Sequence, residues 1–172
     1  MGTEIERKFL LADDSWRTLA DTGTHMVQGY LVDADAFRRG QALASVRVRI
    51  HGDTACLNVK SAQLGIARQE YEYPLPLADA RKMLDTLCRG CVEKVRHRVS
   101  VDAHVFEIDE FLGDNRGLVV AEVELAHADE AHPHPAWLGR EVSHLPRYYN
   151  VNLIDHPWRA WSHAERLGQE TR

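Results

Sequence analysis

The sequence offers little that would build a disulfide framework or a membrane anchor. Its three cysteines, Cys56, Cys88 and Cys91, are odd in number, and the segment Met1–Glu4 lacks the basic and apolar regions of a signal peptide. Cys88 and Cys91 have CxxC spacing, but no second pair exists to complete a zinc site, so free thiols are expected. No apolar run approaches the roughly 18 to 20 residues that span a bilayer. We therefore expect a cytoplasmic protein with no membrane partner.

Sequence motifs for backbone phosphate binding and for helical zinc sites are also missing. There is no glycine-rich loop of the GxGxxG or GxxxxGK type, and the ten histidines are scattered without an HExxH arrangement. Any phosphate chemistry must therefore depend on side chains rather than on a loop of backbone N–H groups.

Basic residues are not in excess, since 21 Lys and Arg face 26 Asp and Glu and leave a net charge of -5. A generic nucleic-acid-binding protein normally shows a clear basic excess, so no nucleic-acid partner is expected.

The 172 residues are 44% hydrophobic, which is enough to bury a sizeable core without disulfides. No linker, internal repeat or composition shift divides the chain, and a single domain over residues 1–172 is expected.

What the sequence does contain is a repeated alternation of charged and apolar residues, which is typical of strands with one buried face. Near the N-terminus, Glu4, Glu6 and Lys8 share one side of a strand while Ile5 and Phe9 share the other. Later segments follow the same rule, and their charged faces carry Arg47 and Arg49; Lys60; Arg68, Glu70 and Glu72; Lys94, Arg96 and Arg98; Glu107 and Asp109; and Glu122 and Glu124.

Short turns link several of these segments, which favours antiparallel pairing. With a further strand around Met26–Val32, about eight strands are expected, which is enough to close a barrel. Helical spacing predicts helices over residues 15–20, 77–87 and 157–167 that would cover the apolar outer faces. The predicted fold class is mainly β (α+β), an antiparallel barrel with a few flanking helices.

The charged faces admit two interpretations. An antiparallel sheet often has one wet face, on which charges are merely solvated. These faces, however, are dominated by Glu, Asp, Arg and Lys in like-charged i, i+2 pairs, which cost stability unless something neutralises them. Guanidinium groups bind phosphate oxygens in a planar, bidentate geometry, and carboxylates hold Mg²⁺ or Mn²⁺ against the anion. The set as a whole favours an interior that binds a metal-bound polyphosphate.

The segment Glu4-Ile5-Glu6-Arg7-Lys8 resembles the N-terminal ExExK strand of CYTH-domain proteins, the triphosphate tunnel metalloenzymes. The motifs that follow match the family in order over nearly the whole chain, and they are Gln28-Gly29-Tyr30-Leu31, Arg47-x-Arg49, Lys60-Ser61, Arg68-Gln69-Glu70-Tyr71-Glu72, Glu93-Lys94-x-Arg96, Phe106-Glu107-Ile108-Asp109, Glu122-Val123-Glu124 and Arg147-Tyr148-x-Asn150.

The resemblance implies a closed eight-stranded antiparallel tunnel with charged residues pointing inward, which acts on triphosphate substrates with a divalent metal. The compact bacterial members most similar to this sequence are inorganic triphosphatases, which implies hydrolysis of inorganic triphosphate to pyrophosphate and phosphate with Mg²⁺ or Mn²⁺. A nucleoside or thiamine triphosphatase and an adenylate cyclase stay open as alternatives in the same tunnel. A polyphosphate-binding module is the non-enzyme alternative, and a homodimer is left open.

The resemblance and the charge pattern together assign roles to the inward residues. The cations expected to grip the triphosphate are Lys8, Arg47, Arg49, Lys60, Lys94 and Arg96, with Arg68 and Arg98 as weaker candidates. The first choice of metal ligands is Glu4, Glu6, Glu122 and Glu124, and the next choice is Glu72, Glu107 and Asp109. Because Mg²⁺ takes one or two protein carboxylates with phosphate and water, this set suits two metals, or one metal whose waters are held by the remaining acids.

Tyr30 and Lys8 are the expected catalytic residues. Tyr30 lies where the family has a proton-accepting tyrosine, and its alternative role is a hydroxyl that orients Lys8 or closes the tunnel. Two residues depart from the family pattern, since Tyr149 replaces a common lysine and Arg98 adds a cation to an inward face. Both departures bear on the substrate range and on the mouth of the tunnel.

Overall fold

The computed structural model describes residues 2–32, 35–36, 39–61 and 67–167, with the side chains of all of these except residues 2–4, 67 and 68. Over those ranges the chain forms one sheet of nine strands, which are β1 (Gly2–Leu11), β2 (Thr24–Tyr30), β3 (Ala44–His51), β4 (Thr54–Ser61), β5 (Ala67–Pro74), β6 (Cys91–Val101), β7 (His104–Phe111), β8 (Val119–Glu124) and β9 (Leu138–Glu141). The helices described are α1 (Leu77–Thr86), α2 (Asn150–Asp155) and α3 (His163–Arg166).

The strands follow one another in the order β5-β4-β3-β2-β6-β7-β8-β1-β9, and the neighbouring pairs are antiparallel. Strand β1 pairs with three partners: residues 2–5 with β5, residues 6–10 with β8, and residues 9–11 with β9. The pairing of β1 with β5 brings the two ends of the eight-strand order together. The prediction of a mainly β, antiparallel fold with few helices is confirmed, and the four-residue β9 is an addition to it.

The helices are shorter than the sequence predicts. Although α1 agrees with the second predicted helix, the helix expected over 15–20 is a 3-10 turn at Ser15–Thr18. The single helix expected over 157–167 is wrong, because a 3-10 turn precedes a separately capped α3. The hydroxyl of Ser162 accepts the N–H of Glu165, and the Glu165 carboxylate accepts the N–H of Ser162. Across the described ranges, no helix has the length and apolar character needed to cross a membrane.

Apolar side chains on the outer face of the sheet form one of the two large clusters of the core. Phe9, Phe106 and Ile108 alternate with the charged residues of β1 and β7 and are almost completely buried. Trp16, on the Ser15–Thr18 turn, and Trp137, just before β9, pack against them. The alternation in the sequence therefore separates an apolar outside, covered by short connecting elements, from a charged inside.

One end of the inside is apolar. Phe111 lies opposite Lys94 in the register of β6 and β7, so its ring shares the face of the charged residues. It belongs to a buried cluster with Tyr148, Leu153 and Trp161 from the C-terminal part of the chain. These residues therefore close the interior beyond Lys94.

Gly29 allows the segment after α1 to approach β2 closely. A Cβ at this position would lie 2.7 Å from the Sγ of Cys88 and 3.0 Å from the Cδ2 of Leu84, which is closer than packed atoms tolerate. A larger residue would push α1 and Cys88 away from the strand. Packing thus explains the glycine between Gln28 and Tyr30.

An ion pair on the outer face fastens the Ser15–Thr18 turn to the sheet. The guanidinium of Arg17 donates to the Glu110 carboxylate at 2.9 and 2.6 Å, and the ring of His97 lies 3.2 Å from the same group. The hydrogen bond from Arg17 lowers the pKa of Glu110, although burial opposes the shift. The contact therefore holds the fully buried Trp16 in place beneath Arg17.

We expect Glu110→Gln to lower the free energy of unfolding by about 1 kcal/mol at pH 7, because the charged hydrogen bonds to Arg17 are lost. A carboxylate with a lowered folded pKa stabilises above its ordinary value of 4.5 and loses that contribution as the pH falls through the folded pKa. Urea denaturation should therefore show the difference between the proteins at pH 7 and a much smaller one at pH 3. Asp114→Asn, which breaks an exposed pair with Arg159, is the control and should cost less. An equal loss at both pH values would contradict this account.

Candidate active site

The register of the strands brings the predicted acidic and basic residues to one face. Lys8 lies directly opposite Glu122, and Glu122 also lies opposite Glu107 on β7. Arg96 lies opposite Asp109 in the same way. Directly opposed residues of antiparallel strands project to the same side, so β1, β6, β7 and β8 present these particular charges to the inside.

These charged side chains are buried. The exposed fraction is 4% for Lys8, 1% for Lys94, 0% for Asp109 and 8% for Glu122. Charges on a solvated face would lie in water, so that interpretation is wrong for this part of the sheet. Buried charges of this kind must be paired, and the contacts show how.

We call the first group the buried ion-pair cluster; its members are Lys8, Lys94, Arg96, Glu107, Asp109 and Glu122. Glu122 joins two cations, because its carboxylate lies 2.8 Å from the Nζ of Lys8 and 2.8 Å from an Nη of Arg96. Arg96 also binds Asp109 in a bidentate geometry at 2.7 and 2.7 Å and donates to Glu107. Lys94 donates to the same Asp109.

Electrostatic interactions keep the acids of this cluster ionised. Burial acts to raise the pKa of Asp109 and Glu122, but Arg96 and the neighbouring lysines outweigh it and hold both pKa values below their ordinary range. Burial and the nearby Arg96 lower the pKa of Lys94 to about 8, so its protonated form is retained with a small margin. A new anion beside Lys94 would favour the charged ammonium.

We call the second group the amide-centred cluster; its members are Arg47, Arg49, Asn58, Lys60, Glu70 and Glu72. It lies on β3, β4 and β5, where Arg47 is opposite Asn58 and Asn58 is opposite Glu72. Arg49 donates to Glu72 at 2.6 Å, and the Nζ of Lys60 lies 3.5 Å from Glu70. Burial acts to raise the pKa of Glu72, yet hydrogen bonding from Asn58 and the charge of Arg49 leave it lowered.

Tyr30 lies beside the amide-centred cluster. It is opposite Arg47 in the register of β2 and β3, and its hydroxyl accepts a hydrogen bond of 3.1 Å from the Nε2 of Gln28. Gln28 is 1% exposed, so this contact is shielded from water. Within the described residues, no contact joins the Tyr30 hydroxyl to Lys8. The suggestion that Tyr30 orients Lys8 therefore stays a prediction.

Lys8 is held instead by the C-terminal part of the chain. Its backbone N–H donates to the Ser143 hydroxyl at 2.8 Å, and its Nζ lies 3.4 Å from the carbonyl oxygen of Tyr148. The ring of Tyr149 lies 5.8 Å from the same Nζ, and its hydroxyl donates to the Ser143 carbonyl. The ring of Tyr149 therefore lies beside the Lys8 ammonium, at a position where the family commonly has a lysine.

The remaining predicted residues are placed by the register of their strands. The backbones of Glu4 and Arg68 are opposite each other on β1 and β5, and their side chains lie outside the described part of the structure. Glu6 is opposite Glu124 on β8. Arg98 is opposite Glu107, but its side chain is exposed at the end of β6.

Asn58 and Gln28 are the inner-face residues that the charge pattern missed. Both are uncharged, and both are almost completely buried on the charged face. Their positions two residues before Lys60 and Tyr30 are the signal that would have found them, because residues i and i+2 of a strand share a face. Reading the polar residues with the same period as the charges would have included them.

The donor set has the chemistry of a hard-cation site. Glu6 and Glu124, opposed across β1 and β8, supply carboxylate oxygens, the ligands that Mg²⁺ and Mn²⁺ prefer. Among the described residues, no three His, Cys, Asp or Glu side chains are already grouped around one point. A metal held here would therefore take part of its coordination from water and from a bound anion, as Mg²⁺ commonly does.

The chain is similar in sequence and fold to known proteins. An inorganic triphosphatase of Acetivibrio thermocellus is 42% identical over 161 residues, which cover 92% of this chain and 97% of that protein. An inorganic triphosphatase of Nitrosomonas europaea is 34% identical and covers 88% of this chain and 96% of its own. A crystal structure of an inorganic triphosphatase superposes with a TM-score of 0.62 at 31% identity, over 90% of this chain and 95% of that chain. The family model of the CYTH domain matches residues 2–151, and the chain therefore belongs to the CYTH domain family.

Proposed function

We propose that this protein hydrolyses inorganic triphosphate to pyrophosphate and phosphate in the charged interior of the sheet, with Mg²⁺ or Mn²⁺. The observation that carries the proposal is the buried ion-pair cluster. Its two lysines, Lys94 and Lys8, are 1% and 4% exposed and lie on the inner face of the sheet. Relatives that cover nearly the whole chain are named inorganic triphosphatases, which supports the same substrate.

The cations would bind the substrate by exchanging partners. In the structure, carboxylates neutralise Lys8 and Arg96, and Glu72 neutralises Arg49. A triphosphate offers oxygens of the same charge and similar geometry, so the cations can move from carboxylate to phosphate without entering water. Fixed cations then stabilise the charge that develops on the phosphate oxygens as the anhydride bond breaks.

The carboxylates would supply the metal site and hold the attacking water. We assign Glu6 and Glu124, together with Glu4 and Glu122, as the first candidates to hold Mg²⁺ or Mn²⁺. The metal, when bound, neutralises phosphate charge and lowers the pKa of a bound water. Glu72, Glu107 and Asp109 are second candidates, each now engaged with a cation that a phosphate would draw away.

The C-terminal segment belongs to the same working unit. Leu153 and Trp161 lie beyond the residues matched by the family model, yet they pack with Phe111 at the closed end of the interior. We propose on this basis that residues 1–172 act as one domain.

The first experiment measures phosphate release from tripolyphosphate, ATP and thiamine triphosphate with Mg²⁺, with Mn²⁺ and with EDTA. We expect metal-dependent release that is fastest with tripolyphosphate, because the interior cations bind phosphate oxygens without a pocket for an organic group being required. Faster turnover of ATP or thiamine triphosphate would move the assignment to a nucleoside or thiamine triphosphatase. Tight tripolyphosphate binding with no turnover would favour a polyphosphate-binding module.

Glu122→Gln should reduce metal-dependent phosphate release by about 100-fold or more. Glu122 orders both Lys8 and Arg96, and the neutral amide cannot hold two cations or a metal in the same way. Steady-state turnover at saturating metal is the measurement. Glu110→Gln, which removes a carboxylate paired with Arg17 on the outer face, is the matched control and should retain turnover. Persistent activity of the Glu122 variant at saturating metal would reject its assignment.

Tyr30→Phe should raise KM for tripolyphosphate and leave the shape of the pH profile unchanged. In the structure the Tyr30 oxygen accepts from Gln28, so its O–H remains to donate to a phosphate oxygen. The measurement is kcat and kcat/KM from pH 6 to pH 10. Loss of an alkaline-side dependence in the variant would instead assign Tyr30 the proton-accepting role.

A further inference from the structure

Asn58 occupies the centre of the amide-centred cluster. Its side chain is completely buried on β4, with Cys56 two residues before it and Lys60 two residues after it on the same face. Burial of an uncharged amide among charged groups costs free energy unless every polar atom is hydrogen-bonded. The contacts of Asn58 meet that requirement.

Both N–H bonds of the Asn58 amide are directed to carboxylates. The Nδ2 atom donates to Glu70 at 2.9 Å and to Glu72 at 2.6 Å. Glu70 and Glu72 are like charges two residues apart on one face of β5, an arrangement that repels unless donors lie between them. One nitrogen atom therefore holds the two carboxylates at fixed positions.

The carbonyl oxygen of Asn58 engages a cation of the same cluster. It accepts a hydrogen bond of 3.2 Å from the Nε of Arg47 and lies 3.4 Å from the Sγ of Cys56. A contact through Nε restricts the plane of the guanidinium, and one terminal nitrogen of Arg47 lies 3.9 Å from the Glu70 carboxylate. Asn58 thus orients one cation and two acids at once.

The same carboxylates also neutralise cations that are expected to bind phosphate. Glu72 accepts from Arg49 at 2.6 Å, and Glu70 lies 3.5 Å from Lys60. When these cations turn to an incoming anion, the acids lose their counter-charges, and a partly buried carboxylate without a donor is costly. Among the partners described for these two acids, Asn58 is uncharged and is therefore not drawn to the anion.

We propose that Asn58 is a positioning residue that retains Glu70 and Glu72 while Arg49 and Lys60 exchange them for substrate oxygens; this rests on the proposed function. An apolar residue here would leave both acids dependent on the cations, which would then be harder to release. The anion would bind more weakly, although the cations themselves were unchanged. Asn58 therefore affects the affinity for the substrate rather than the rate at which bound substrate is hydrolysed.

The test compares Asn58→Leu, Asn58→Thr and a matched control, Asn115→Leu. Asn115 is also a buried asparagine, but it bonds Leu153 and Trp158 away from the charged face. Calorimetric titration of metal-free protein with tripolyphosphate in EDTA measures affinity without turnover, and steady-state kinetics with Mg²⁺ measures KM and kcat. Thermal melting of each variant records the loss of stability.

We expect Asn58→Leu to weaken tripolyphosphate binding and raise KM about tenfold, with kcat changed less than about threefold. The hydroxyl of Asn58→Thr retains one donor and should restore part of the affinity. The control should lose stability and keep wild-type affinity. Unchanged affinity in Asn58→Leu overturns the proposal, as does equal weakening in the control, which would indicate a purely structural role.

The binding arm separates this proposal from the proposed function. If wild-type protein binds tripolyphosphate without hydrolysing it, the proposed function fails. An affinity that falls from wild type to Asn58→Thr to Asn58→Leu would still support the role of Asn58. If wild-type protein hydrolyses tripolyphosphate and the three proteins bind it equally, the function stands and the role of Asn58 is rejected. Failure of wild-type protein both to bind tripolyphosphate in EDTA and to hydrolyse it with Mg²⁺ rejects both.

Discussion

Pairing of buried charges is the constraint on which the rest of the structure depends. Lys94 and Asp109 are removed from water almost completely, and such groups are tolerated only when opposite charges and hydrogen bonds surround them. The antiparallel register meets this need by setting acids on β7 and β8 opposite cations on β6 and β1. The long pairings of β1, the apolar outer core and the closed end beyond Lys94 all serve to hold that interior in one geometry.

This pairing also makes the interior suitable for an anion. Each cation is already desolvated and oriented by a carboxylate, so a phosphate group replaces one oxygen partner with another and little new desolvation is required. In the proposed function, the acids that are released would become available to a hard metal ion or its water ligands. A set of buried charges in which acids and cations are nearly equal in number is therefore compatible with binding of a negative substrate.

The period-2 alternation predicted most of the fold because each strand has one charged and one apolar face, as with Glu6 and Lys8 against Phe9. Helical periodicity predicted one helix over 157–167 and did not reveal that a separate helix, α3, is capped by Ser162 inside that range. A capping box is not part of the periodic pattern of apolar residues. The charge pattern found the charged residues of the interior but missed Asn58, since an uncharged amide becomes informative only when its neighbours in space are known. Contacts from Ser143 and Tyr148 to Lys8 span more than 130 residues and depend on tertiary structure alone.

The ties between Lys8 and the end of the chain have a consequence for synthesis. Strand β1 leaves the ribosome before its pairing partners β8 and β9 and before the carbonyl of Tyr148. Until then Lys8 lacks the Glu122 carboxylate that neutralises it, and loop closure over more than a hundred residues must precede its ordering. The charged interior is thus completed only after Tyr148 has been made, so a chain that stops before this residue lacks part of it.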